Sequence, residues 1–100
     1  MNQSETYADE LRIVTLTPHA SNYKTIGVLV EEAGVTLPQG ALIQCNVVPA
    51  STATLKDMTN DAVQPLAADE VRMFPARNFK DQFGLISEDT VSCEFYIEKD

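Results

Sequence analysis

The chain has no tryptophan, one histidine, two cysteines, four glycines and only seven basic residues in its hundred. Each shortage excludes something. His19 stands alone and Cys45 and Cys93 are far apart, so no Cys-x-x-Cys or His-x-x-x-His spacing exists to hold zinc. The glycines, Gly27, Gly34, Gly40 and Gly84, are isolated, so no glycine-rich loop cradles a phosphate. No apolar run approaches the roughly 20 residues of a membrane-spanning helix. The opening MNQSETYADE has neither the basic nor the apolar segment of a signal peptide, and the sequon at Asn2 is read as accidental. Fifteen acids against seven bases leave a net charge of −8, which repels nucleic acid and anionic membranes and favours a basic protein surface.

What remains is an ordinary globular composition, 44% hydrophobic, in a chain of one-domain length. Residues 1–10 are read as an N-terminal arm and 11–100 as a single β domain. Tyr7 is the arm's one anchor; the arm either docks on its own domain or reaches a partner. The cysteines lie in apolar stretches and are expected as buried free thiols.

Strand signals dominate. LRIVTLT (11–17) is β-branched and apolar, and stops at Pro18. Leu11, Ile13 and Thr15 share one side and Val14 and Leu16 the other, so this strand is expected to be covered on both faces. KTIGVLV (24–30) alternates at Ile26, Val28 and Val30 and reads as a second strand, with Gly34 closing a hairpin into Val35–Leu37. Pro38 and Gly40 in LPQG suit a turn, after which Ala41, Ile43, Cys45 and Val47 alternate to Pro49. On this reading Leu42 and Val48 point outward. Residues 50–70 stay open between helix, strand and loop, with Leu55, Met58 and Ala62 at helical spacing. VRMF (71–74) is a short strand, and ARNFKDQFG reads as one or two helical turns ended by Gly84. VSCEFYIEK is the clearest strand, with Val91, Cys93, Phe95 and Ile97 inward. Ile13, Val28, Ile43 and Phe95 are expected to share the core. The fold class is therefore all-β: a small antiparallel β-sandwich or barrel of five to seven strands with one or two short helical turns.

Chemistry-bearing groups are sparse. His19 and Ser21 are near in sequence but lack a nucleophile elbow or an evident third member. The pairs Asp9-Glu10, Glu31-Glu32, Asp69-Glu70 and Glu88-Asp89 sit in or beside turns, where acids are ordinarily solvated. DMTND offers oxygen ligands without calcium-loop spacing. No catalytic, cofactor-binding or metal-ligating residue is assigned, no cofactor is expected, and the chain is expected not to be an enzyme. RMFPARNFK concentrates Arg72, Arg77 and Lys80 around Phe74 and Phe79. Arginine and aromatic residues are common interface anchors. Phe79 is read as core and Phe74 is left open. The candidate partner-binding residues are thus Tyr7, Leu42, Val48, Arg72, Phe74 and Arg77.

The stretch GVTLPQGALIQCNVV resembles the strand–turn–strand entry of small β-rich bacteriophage head decoration (cement) proteins. The match rests on Val35, Leu37, Pro38, Gly40, Leu42 and Ile43 and covers about fifteen residues. The resemblance implies a non-enzymatic viral protein of the virion that oligomerises over joints between shell subunits. Its partners would be capsid subunits and copies of itself, with no nucleic acid and no membrane. Two other classes stay open: an acidic inhibitor mimicking nucleic acid, and a cytoplasmic small-ligand β-barrel or enzyme.

Overall fold

A computed structural model describes residues 10–36, 41–75 and 79–98. In chain order the elements are β1 (Glu10–Leu16), β2 (Lys24–Thr25), α1 (Ile26–Glu32), β3 (Ala41–Pro49), β4 (Ala53–Asp57), β5 (Ala62–Leu66), β6 (Arg72–Pro75), α2 (Phe79–Gln82), β7 (Phe83–Ser87) and β8 (Val91–Glu98). The strands form two four-stranded sheets, ordered β1-β8-β3-β6 and β2-β7-β4-β5. Neighbours within each sheet are antiparallel. The all-β expectation holds, and the sheets do not close into a barrel. Eight strands are present among the described residues, rather than five to seven.

One apolar cluster joins the layers. Val14, Leu16, Cys45, Val47 and alternate residues of β8 come from the first sheet, and Ala53, Leu55, Leu66 and Leu85 from the second. In β8, Val91, Cys93, Phe95 and Ile97 are all fully buried, as its period-two pattern requires. In β3 the inward Cys45 and Val47 are buried, while the register shifts between Leu42 and Gln44. That irregularity interrupts the regular alternation expected from residue 41 onward. Two links tie the sheets at their sides. Phe74 of β6 stacks on Phe83 at the start of β7, with ring centroids 4.3 Å apart. Arg72 of β6 hydrogen-bonds Gln64 of β5, so the two edge strands are laced together.

Residues 24–30 correct the sequence reading. They were expected as a strand but form only the two-residue β2 and then helix α1. The residues that α1 buries are Ile26, Leu29 and Val30, at i, i+3 and i+4, whereas Val28 is 41% exposed. Thr25 caps the helix: its Oγ1 accepts from the Val28 N–H at 3.3 Å. Gly34 ends it with φ of +76°. Gly34 N–H donates to Glu31 O at 3.0 Å and Val35 N–H to Val30 O at 3.3 Å, the two bonds of a Schellman motif. So Gly34 closes a helix and not a hairpin, and Val35 and Thr36 form no strand. The predicted turn at Pro38 and Gly40 lies outside the described residues.

The open stretch 50–70 is a β-hairpin, β4–β5. Its helical spacing is incidental, since Met58 and Ala62 are exposed. Its turn is built from side-chain chemistry. Asp57 Oδ1 accepts from Thr59 N–H at 2.9 Å and Thr59 Oγ1 at 2.6 Å, and Asn60 Oδ1 accepts from Ala62 N–H at 2.9 Å. Asp61 then takes the left-handed conformation, φ 63°. Pro65 is tolerated because β5 is an edge strand. After α2 the chain enters β7 at Phe83, a strand that the predicted stop at Gly84 concealed.

Candidate interaction face

Strand β1 was expected to be covered on both sides. The structure covers one. Val14 and Leu16 are buried, but Leu11 is 51% and Ile13 58% exposed. The reason is architectural: the second sheet packs only against the inner side of the first. The outer side can be read from the register. Ile13 stands opposite Glu94, Glu94 opposite Asn46, and Asn46 opposite Met73, in one row across all four strands. Leu11 and Tyr96 form the row on one side, and Thr15, Ser92 and Val48 the row on the other. Met73 is 62% exposed. Glu94 and Tyr96 are half-buried. Asn46 Nδ2 donates to Glu94 Oε1 at 3.2 Å. Among the described residues no lysine or arginine forms an ion pair with Glu94.

The sequence-predicted candidates do not gather at one place. Val48 is half-buried in this outer face, opposite Ser92. Leu42 lies in β3 opposite Ile97, and its side chain is outside what the structure describes. Phe74 turns into the core, 8% exposed against Phe83, and is no free anchor. Arg72 is held by Glu70 at 2.8 Å and by Gln64, so it braces the fold. Tyr7 and Arg77 lie outside the described residues. Conversely, Leu11, Ile13 and Met73 were missed as surface groups, whereas the alternation of β8 already placed Glu94 outward. A signal existed in LRIVTLT: apolar residues on both parities require either a second layer or an exposed apolar face.

The remaining polar groups serve local structure. His19 Nδ1 accepts from the backbone N–H groups of Ser21 and Asn22, each at 3.0 Å, and lies 3.3 Å from Ser21 Oγ. The ring thus caps a loop, and the loop is joined to β7 by Ser87 N–H donating to His19 O. Asp57 lies below its usual carboxylate range chiefly because Thr59 donates to it from side chain and backbone. Glu70 is lowered first by the Ala67 N–H and then by Arg72. The clefts among the described residues include one of about 400 Å³ beside Gly27, Val28, Glu31 and Lys80, and one of about 290 Å³ beside Ala20, Thr52 and Ser87. Among the described residues no cluster of three His, Cys, Asp or Glu could hold a metal ion. No described helix is long and apolar enough to cross a membrane.

No protein-family model, curated protein or solved structure matches the chain.

Proposed function

We propose that this chain is a non-enzymatic interaction module, an accessory subunit that decorates and stabilises a viral protein shell. One observation supports this reading. Leu11, Ile13 and Met73, each more than half exposed, stand on a single face of a sheet whose opposite face is closed core. Fully burying a large apolar side chain is worth roughly 1.5–3 kcal/mol, so a partner covering all three gains substantially. Scattered exposed apolar residues need no explanation, but these three share one sheet face around the polar pair Asn46 and Glu94. On this reading the chain self-associates and presents this face to the shell.

Native mass measurement of the full chain is the first test, with a trimer or larger ring expected. The partner test is Ile13→Glu, which should keep the melting temperature within a few degrees, because Ile13 lies outside the core, yet weaken attachment to the shell at least tenfold. A monomer that binds and inhibits a nuclease would transfer the reading to an acidic mimic of nucleic acid.

A further inference from the structure

The outer face has an unusual centre. Glu94 sits between Ile13 on β1 and Asn46 on β3, with Met73 one strand further. With strands about 4.8 Å apart, Ile13 and Met73 flank the carboxylate on both sides within some 14 Å. Oε1 accepts from Asn46. Oε2 has no donor among the described residues. A wholly apolar partner seated on this row would strip water from that oxygen without replacing it, and desolvating an unpaired carboxylate opposes binding strongly. The partner must therefore bring a donor, and a cation is the strongest available.

The described residues of a second copy are poorly equipped to supply it. Of the five cations among the described residues, four are engaged by the chain's own carboxylates: Arg12 by Glu10, Lys24 by Glu32, Lys56 by Asp61 and Arg72 by Glu70. Face-to-face pairing would also bring two copies of Glu94 together in a chain of net charge −8. Charge complementarity thus selects a different protein.

We propose that the outer face of β1-β8-β3-β6 docks a heterologous protein surface that aims an arginine or lysine at Glu94 between apolar contacts to Ile13 and Met73. This deepens the reading of the chain as an interaction module and rests on it. The test uses a random twelve-residue peptide library, displayed and selected against the immobilised full chain, with enriched peptides then titrated in solution. Enrichment of peptides that combine arginine or lysine with leucine, isoleucine or phenylalanine is expected. Glu94→Gln should weaken them at least tenfold with an unchanged melting curve, and selection against Glu94→Lys should turn to acidic peptides. Ile13→Ser should weaken binding independently. Binders without a cation, or binders indifferent to Glu94→Gln yet sensitive to Ile13→Ser, would overturn the cation while leaving the face as the contact surface. Indifference to both changes would overturn the face itself.

Discussion

Cys45 and Cys93 illustrate how much a register decides for single residues. Cys45 stands opposite Phe95, and Cys93 opposite Val47, so both thiols lie on the inner side of the first sheet as diagonal neighbours, fully buried and reduced. Their alternation with Val47 and Phe95 made this legible from the chain alone. Hydrogen bonding to Cys45, followed by burial, raises Cys93 well above the usual thiol value. The folded protein therefore holds a proton that the unfolded chain releases above about pH 8.5. Stability is unaffected below that value and falls as pH rises beyond it. Asp57 and Glu70 have the opposite sign. Their folded values are lowered, so their contribution is present above about pH 4 and is lost as pH falls through the folded values. A melting temperature followed against pH should form a plateau that declines at both ends. Cys93→Ala should flatten the alkaline limb and Asp57→Asn the acid limb. An alkaline decline identical in Cys93→Ala would assign it to other groups.

Among the elements, legibility followed the purity of the local pattern. β8 was readable because no apolar residue interrupts its alternation except Tyr96, whose half-buried position tolerates it. α1 was not, because IGVLV satisfies both periods: Ile26 and Val30 fit a strand through Val28 and a helix through Leu29. Packing against the core resolves the ambiguity, and only the caps betray it locally. For the hairpin β4–β5 the decisive chemistry sat in Asp57, Thr59 and Asn60, short polar residues that cap a helix as readily as they shape a turn. The helix end offers a clean measurement. A Cβ on Gly34 would meet nothing within 4 Å, so Gly34→Ala tests the backbone conformation alone. The left-handed region costs an ordinary residue roughly 1–2 kcal/mol, and urea unfolding should show a loss of about 1 kcal/mol. Gly27→Ala is different in kind, since its Cβ would stand 3.1 Å from the Lys80 backbone oxygen, where α1 and α2 meet. An unchanged midpoint in Gly34→Ala would mean that the Schellman bonds re-form around a different conformation.

For the molecule as a whole, the candidate face was legible only in part. The sequence disclosed that β1 is apolar on both sides, but whether a layer covers the second side depends on how many sheets the rest of the chain builds. That number was hidden in β2, β7 and the hairpin, the elements least evident beforehand. Once two sheets are present, one side of each must face outward, and the composition of that side determines what it can touch. The four ion pairs among the described residues, joined by the lacing of Arg72 to Gln64, belong to a chain in which fifteen acids outnumber seven bases.

The strand order β1-β8-β3-β6 also governs how the chain reaches its fold. β8 lies between β1 and β3, which both precede it, and its pairing with β1 joins Val14 to Cys93. Closing a loop of that length costs on the order of 4 kcal/mol in chain entropy before any contact is gained. Stopped-flow refolding should therefore proceed in milliseconds to seconds, as for other strand-rich domains of nonlocal pairing; a microsecond phase that recovers the full signal would contradict this. In the finished sheet β8 fills the slot between β1 and β3. The β8 of a neighbouring molecule fits that slot as well as the chain's own, hinged at Glu88, Asp89 and Thr90. Exchange of β8 between copies, producing intertwined dimers at high concentration, is the assembly error this topology invites.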